Sequence, residues 1–374
     1  MSLPFRVLVV GPMTGRGGLA VMARQTAQTG SLPECALHVL DTTRPPGARS
    51  RWRAIAAHAE QIIALCGKMR IFRPQIVHLH TCSYWTFVRS TLDILAARLF
   101  GAAVVLHVHG GFFDRFLDGL PPLGRVWAAF HLRLCRCVVV LSPTWRHRLL
   151  QRVPGLRTAV LPNAVDTRRY AASRSPWGNR VLFVGELSQT KGIDDLLRAL
   201  AHLPNDLRTT VRLVVVGDDP QQRRGCLQGL ARELGILDCV EWLGHLSDAP
   251  LVAEYARADV FVLPSHGEGM PLTLLEAMAS GLACVVTSVG AVPEVVTANH
   301  DARVVCAGDP ASLADALEGL LRDAEARRNL GQAARNRAAD FDIRSFHSRL
   351  AAVWREAIAI KDYPFQHHAV KNSA

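Results

Sequence analysis

The stretch His266-Gly267-Glu268-Gly269-Met270-Pro271-Leu272-Thr273-Leu274-Leu275-Glu276-Ala277-Met278-Ala279-Ser280-Gly281 decides how this chain folds. Ahead of it runs Asp259-Val260-Phe261-Val262-Leu263-Pro264-Ser265, and behind it Ala283-Cys284-Val285-Val286-Thr287. Both flanks are short apolar runs, the pattern of strands buried on both faces. The order is strand, loop, helix, strand, which makes a parallel α/β unit. Loops at the carboxyl ends of parallel strands are where open α/β sheets bind ligands. Gly269 and Pro271 bend this loop, so its N–H groups can turn toward an anion at the helix N-terminus. Glu268 sits in the loop, and Glu276 lies about two turns further on. With the loop folded back over the helix, both carboxylates can face one ligand that carries hydroxyls and phosphate.

Glu268, seven intervening residues and Glu276 resemble the E-x7-E motif of retaining glycosyltransferases of family four. Ala277-Met278-Ala279-Ser280-Gly281 and Pro293-Glu294-Val295-Val296 are similar to the same family, in the same order. Two glutamates at this spacing are common on helices; the flanking strands and the further matches give the motif its weight. The similarity runs from near the N-terminus to about residue 350. It implies an α/β fold of GT-B type, with two Rossmann-like domains facing across a cleft. The implied division is an acceptor-side domain over 1–168 and a nucleotide-sugar donor domain over 169–344. A last helix over 345–361 would pack back on the first domain, followed by a tail over 362–374.

At 374 residues the length fits about two domains. An apolar share of 49% supplies two buried cores and argues against a disordered chain. Charge is uneven. Residues 1–166 carry 20 Lys and Arg against 7 Asp and Glu, whereas the remainder carries 23 against 25. A basic first half invites an anionic partner: a phospholipid surface, a pyrophosphate-linked acceptor or nucleic acid. An arginine-rich protein from a GC-rich genome would show the same excess. The nine cysteines are scattered, and Cys135-Arg136-Cys137 alone is not a zinc site. Cys284 and Cys306 fall in apolar runs and read as buried thiols, so a reducing compartment is expected. Met1-Ser2-Leu3-Pro4-Phe5 lacks a basic leader, and no apolar run reaches the roughly 18 residues a span requires. The expectation is a cytoplasmic protein, either free or peripheral on the inner face of the membrane.

In the first half, Arg6–Gly11, Ala36–Asp41, Gln75–His80 and the run 103–111 read as strands, and Val138–Ser142 as the next. Gly11-Pro12-Met13-Thr14-Gly15-Arg16-Gly17-Gly18 is a strand-to-helix turn, either an ordinary tight turn or a phosphate cradle. It lacks the G-x-G-x-x-G spacing of a dinucleotide site. The family resemblance implies that Gly17 and Gly18 lie against the donor pyrophosphate. The run 50–72 reads as a long helix ending in Lys68, Arg70 and, beyond it, Arg73. That charge either complements the helix dipole or, with Trp52 and the arginines beside it, meets a membrane surface. His78, His80, His107 and His109 are read as turning to opposite faces of their strands, as packed rings and not as metal ligands. His109-Gly110-Gly111 stands at a strand end and looks like the family's histidine that touches the transferred sugar. Pro121–Arg136 reads as an amphipathic core helix with Trp127 and Phe130, and Pro143 opens a short basic one. Pro162-Asn163-Ala164-Val165-Asp166 resembles the family stretch that marks the crossing between domains.

In the second half, Arg180–Gly185 starts a new sheet after the turn-rich residues 173–178. The resemblance implies a diphosphate-holding arginine and lysine in Glu186-Leu187-Ser188-Gln189-Thr190-Lys191-Gly192. Lys191 matches; Glu186 stands where the arginine belongs and reverses its charge. Arg212–Asp218 and Val240–His245 read as strands, and the resemblance places the nucleotide base beside Leu243 and Gly244. It also points N–H groups of Met270 and Leu272, in the Gly269-Met270-Pro271-Leu272 loop, at the sugar or phosphate. Asp309-Pro310 opens a helix with Leu313, Leu317 and Leu320 at helical spacing, and Ser345–Ile360 is the last helix.

The reaction implied is transfer of a hexose from a nucleotide-sugar donor to a hydroxyl of a glycan or lipid-linked acceptor, with retained configuration, in surface-polysaccharide assembly. Glu268 would hold sugar hydroxyls, Glu276 the ribose, and Lys191 the departing diphosphate. No Asp-x-Asp motif stands beside the site, so neither metal nor other cofactor is expected. A nucleotide-sugar epimerase or a phosphorylase on the same architecture is the alternative. A basic nucleic-acid-binding protein would leave Glu268 and Glu276 without a task and lacks a recognisable motif, so no nucleic-acid partner is expected.

Overall fold

The computed structural model describes residues 4–43, 51–171 and 178–359, without the side chains of residue 31 and residues 51–54. The turn-rich stretch expected at 173–178, Gly178 apart, the tail and the Trp52 contact therefore lie outside the described residues. Twelve strands form two sheets among the rest. The first contains β1 (Phe5–Gly11), β2 (Cys35–Asp41), β3 (Ile76–Thr81), β4 (Ala103–Val108), β5 (Cys137–Val140) and β6 (Thr158–Val160), in the order β2-β1-β3-β4-β5-β6. The second contains β7 (Arg180–Val184), β8 (Arg212–Val216), β9 (Val240–Gly244), β10 (Val260–Leu263), β11 (Ala283–Thr287) and β12 (Arg303–Val305), in the order β12-β11-β10-β7-β8-β9. Every pairing is parallel. Central strands β3 and β4 are buried along their whole length, as strands covered by helices on both faces must be. The edge strands β2 and β9 keep exposed residues.

Helices Arg51–Phe72, Trp85–Leu99 and Pro122–Leu134 lie side by side over one face of the first sheet. Helix Gly18–Gln28 and the C-terminal helix Ile343–Ala359 cover the other. The C-terminal helix reaches back through Trp354, whose indole N–H donates to His78 Nδ1 at 3.1 Å and whose ring meets Phe5 edge-on at 6.4 Å. His347 Nε2 approaches the Gln25 carbonyl at 3.1 Å on the same side. A bridge between Val165 and Asp342 brings the two interdomain crossings together. The main apolar cluster runs from the first sheet through Met270, Leu272 and Leu275 into the second lobe, and a second cluster fills the outer side of β7, β8, β10 and β11.

Three expectations are corrected. His78, His80, His107 and His109 share one face, because residues two apart on a strand point the same way and the β3–β4 register sets His80 beside His107. Cys306 is exposed, since it follows β12 at the sheet edge; Cys284, on an inner strand, is buried, and all nine cysteines are free. Helix Pro122–Leu134 buries Ala128 and Leu132 and sets Trp127 against Phe87 at 5.7 Å, but Phe130 is exposed along with Leu123 and Val126.

Helix Trp85–Leu99 carries one buried acid, Asp93. Gln61 Nε2 donates to both of its oxygens at 3.0 Å, and Arg89 holds the Gln61 carbonyl oxygen at 3.1 Å. Burial pushes the Asp93 carboxyl up to about 6, against the smaller pull of Gln61 and Arg89. The folded chain therefore holds this proton more tightly than the unfolded one. Its stabilisation is present at low pH and is lost as pH rises through about 6. The full loss is on the order of 3 kcal/mol. Denaturant unfolding of wild type and Asp93→Asn between about pH 4 and pH 7 should show this fall in the wild type and a flatter profile in the variant; parallel profiles would contradict it.

Candidate active site

The loops after β1, β4, β7, β10 and β11 meet where the carboxyl ends of the two sheets face each other. The lobes touch here through backbone. A Cβ added to Gly111 would lie 2.5 Å from the Glu268 carbonyl carbon and 2.7 Å from the Gly269 nitrogen. One added to Gly269 would lie 2.6 Å from the His109 carbonyl oxygen. Side chains of the first lobe then bind the same loop. Asn163 Nδ2 donates to the Met270 carbonyl at 2.7 Å, and Trp145 Nε1 donates to the Gly269 carbonyl at 3.3 Å. Ser142, the cap of helix Pro143–Arg152, donates to Glu294 at 2.5 Å. Gly290, at φ 58°, presses its Cα side against the Glu268 carbonyl, where any side chain would collide. The loop is thus clamped from both lobes.

Glu268 is 7% exposed, and its Oε1 receives Lys191 Nζ at 2.6 Å and Ser265 Oγ at 2.7 Å. Lys191 ends a single helical turn after β7, and Ser265 follows β10, so neighbouring strands bring both groups to one carboxylate. A charge-assisted pair in so enclosed a place is stronger than a surface ion pair. Glu276 has a separate set of partners. Tyr255 Oη donates to Oε2 at 2.8 Å, and the Tyr170 hydroxyl lies against it as well. Burial raises the Glu276 pKa, opposed by these two hydroxyls and by Arg169. The two carboxylates are held by different groups, Glu268 by Lys191 and Ser265 and Glu276 by Tyr255 and Tyr170.

His109 extends the end of β4, and its Nε2 pairs with His80 Nδ1 at 2.9 Å. Burial pushes the pKa of His109 and of His78 down to about 3, and those of His80 and His107 well below the usual value. The four rings are therefore neutral near pH 7. Nitrogens of His78, His80 and His107 come within 4.8 Å of one another, a spacing suited to a metal. However, the Trp354 N–H occupies the Nδ1 lone pair of His78. The ring proton of neutral His78 must then sit on Nε2, which leaves that nitrogen no lone pair for a metal.

Gly17 caps helix Gly18–Gln28 at φ 85°, and Gly18 stands against the Leu272 side chain of the opposite lobe. Met270 and Pro271 are buried, and Leu272 begins the helix Leu272–Ala279. Leu243 and Gly244 end β9; Gly244 is at φ 70° and accepts a hydrogen bond from the Gly217 N–H at 2.8 Å. Glu186 is exposed beyond β7. Arg16, from the glycine-rich turn of the first lobe, crosses to Asp218 at 2.9 Å. Asp218 is next to Glu186 in space, since its carbonyl accepts from the Leu187 N–H at 2.9 Å. Sequence reasoning did not single out Ser265, Tyr255, Tyr170, Arg16 or Gly290. Asn163 lay within a quoted motif without a stated task.

Two parallel α/β lobes, meeting at their strand ends over a clamped acidic loop, define a GT-B glycosyltransferase. Solved structures agree on the fold. Sucrose-phosphate synthase from Thermosynechococcus elongatus superimposes with a TM-score of 0.81 at 19% identity, over 95% of this chain and 99% of that one. Anabaena HepE, solved with UDP-glucose, does so with a TM-score of 0.73 at 18% identity, over 94% and 99%. The pattern of glycosyltransferase family 4 matches residues 15–169, and that of glycosyl transferases group 1 matches residues 173–337. The chain is 31% identical to a Mycobacterium tuberculosis glycogen synthase, over 78% of this chain and 71% of that protein. It is 34% identical to a D-inositol 3-phosphate glycosyltransferase of Corynebacterium aurimucosum, over 56% and 51%. The chain belongs to the family 4, group 1 glycosyltransferases, and it is an enzyme of that kind.

The Gly111 contact carries a direct prediction. Gly111→Ala should wedge the Glu268–Gly269 peptide away and lower turnover by at least about tenfold, since small misplacements at a reacting centre are costly. The melting temperature should respond less than turnover, because the contact is a single loop-to-loop approach at the edge of the cluster the lobes share. Wild-type turnover in this variant would show that the lobes need not touch here.

Proposed function

We propose that this enzyme moves a hexose from a nucleotide-diphosphate sugar to a hydroxyl of a glycan or lipid-linked acceptor, with retention at the anomeric carbon, in surface-polysaccharide assembly. The observation that carries this reading is the Lys191–Glu268 pair at the ends of β7 and β10, facing the His109-Gly110-Gly111 loop. The UDP and UDP-glucose of HepE support a nucleotide-sugar donor here.

In this reading Glu268 holds hydroxyls of the transferred sugar, and Ser265 keeps the carboxylate in place while Lys191 turns to the diphosphate. The N–H groups of Met270 and Leu272 add to the charge offset. Fixed donors aimed at developing charge are usually the largest catalytic contribution. Arg16 supplies the second cation that Glu186 cannot, because it already reaches the turn beside that residue. Gly17 and Gly18 let the first lobe's turn close over the pyrophosphate. Leu243 and Gly244 border the base, and Glu276 accepts the ribose hydroxyls. His109, neutral and fixed by His80, contacts the sugar as a hydrogen-bonding group and not as a charge. The acceptor hydroxyl attacks from the face the diphosphate leaves, and the departing phosphate takes its proton. No metal ion or nucleic acid has a part in this scheme. The enzyme would work at the inner face of the cytoplasmic membrane.

Nucleotide diphosphate release across a panel of nucleotide sugars tests the acids. Glu268→Gln should lower turnover by roughly a hundredfold or more. Glu276→Gln should act mainly on nucleotide affinity. Near wild-type values in both folded variants would remove the acids from the site. Calorimetric binding of UDP and GDP tests the cations. Lys191→Ala and Arg16→Ala should each weaken the better ligand by about tenfold or more, the worth of a charged hydrogen bond; unchanged affinity excludes that residue from the phosphate site. Wild-type nucleotide affinity should also fall on acidification before an ordinary carboxylate would titrate, because burial raises the Glu276 pKa. That acid-side loss should vanish in Glu276→Gln.

A further inference from the structure

We infer that the helix layer of the first lobe, formed by Arg51–Phe72, Trp85–Leu99 and Pro122–Leu134, is a docking face for an anionic lipid bilayer. The inference deepens the acceptor and membrane part of the proposed function and rests on it for the acceptor alone.

Exposed large apolar side chains of the described residues gather mainly in one place. Among the described residues, every exposed large apolar side chain except Val39 lies on these three helices or directly beside them. Ile71 is 88% exposed, Leu99 86% and Leu123 84%. On helix Trp85–Leu99, the exposed residues Trp85, Leu92 and Leu99 recur every seven positions and so share one side. Phe100 follows that helix, and Arg70 of the neighbouring helix stacks on its ring at 5.7 Å. Scattered apolar residues on a surface need no explanation, but a set gathered on adjacent helices marks a contact site.

Charge identifies the occupant. Arg70, Arg125 and Arg133 are exposed on the same helices, and Arg73 just beyond the first of them. Of the acids there, Asp93 is buried and Glu60 alone is exposed among the described residues. A second copy of this chain on this face would set like charges against each other. A bilayer bearing anionic lipid accepts both components: the apolar side chains enter the headgroup boundary, and the arginines meet phosphate.

The face also leads to the site. Helices Arg51–Phe72 and Pro122–Leu134 run into β3 and β5, so their first turns, with Leu123, stand at the carboxyl-end side of the sheet beside the crevice, and their last turns, with Arg70, Ile71 and Arg133, at its amino-end side. Tyr84 and Trp85 follow the carboxyl end of β3 at the same edge. The Tyr84 ring meets Phe116 at 5.4 Å, and Phe116 belongs to the helix Phe113–Asp118 that continues the His109-Gly110-Gly111 loop. A lipid-anchored hydroxyl would thus enter from the Tyr84–Trp85 rim.

Co-sedimentation of the full chain with vesicles is the test, using phosphatidylcholine alone and phosphatidylcholine mixed with phosphatidylglycerol. The wild type should bind the anionic vesicles and not the neutral ones. Arg70→Gln/Arg73→Gln/Arg133→Gln should weaken that binding on the order of a hundredfold, from the usual worth of a basic residue at an anionic surface. Ile71→Ser/Leu99→Ser/Leu123→Ser should weaken it at least tenfold, and UDP or GDP affinity should stay at the wild-type value in both variants. Equal binding to both vesicle types, or wild-type vesicle binding by the apolar variant, overturns the inference. So does a dimer, seen by light scattering, that the apolar variant converts to monomer. Vesicle binding that persists in a chain with no affinity for any nucleotide would instead sink the donor reading and leave this face standing.

Discussion

At the crevice the two lobes approach as bare backbone. Gly111 and Gly269 leave no side chain between the loop after β4 and the loop after β10, so Glu268 is brought within the reach of both lobes. Everything else in the site follows from that approach. Asn163 and Trp145 can then hold the loop's carbonyls, and Ser142 can hold Glu294. Gly290 seals the other side. A loop fixed from several directions cannot relax when charge changes beside it, which is what preorganised stabilisation demands.

The electrostatics of the crevice are divided by burial. Glu268 is enclosed but partnered by a lysine and a hydroxyl, so its charge is met. Glu276 is met by two tyrosine hydroxyls and the more distant Arg169, and burial raises its pKa. The histidines behind the crevice are buried without a carboxylate and stay neutral. They form a packed polar wall, in which Trp354 holds His78 and His80 holds His109. The C-terminal helix is therefore tied to the floor of the first lobe, although it follows the second lobe in the chain.

Much of this was legible in the sequence, because burial on both faces gives parallel strands a simple signature. The runs at β1, β3, β4, β7, β8, β10 and β11 are apolar and short, and the turns after them carry the glycines and acids. The strand-end positions of Glu268, Lys191 and His109 follow from that signature once the motif is recognised. Helix Trp85–Leu99 was harder, because its apolar residues point both inward and outward and blur the helical period. The short edge strands β6 and β12 were hidden for the same reason that Cys306 was misplaced, since a few residues at a sheet edge have no continuous apolar run.

The sequence by itself determined the class of fold, the order of its elements and the family of the enzyme, since these rest on local periodicity and on motifs within one stretch of chain. Only the tertiary structure decided which groups meet across it. Arg16 reaches Asp218, Trp354 reaches His78 and Gly111 reaches Glu268 over separations that no periodicity encodes. It alone decided, too, that the exposed large apolar side chains of the described residues gather, Val39 apart, on or beside one basic helix layer. Such contacts depend on the register and twist of two sheets and on how they are set against each other, and a linear pattern carries no record of that placement.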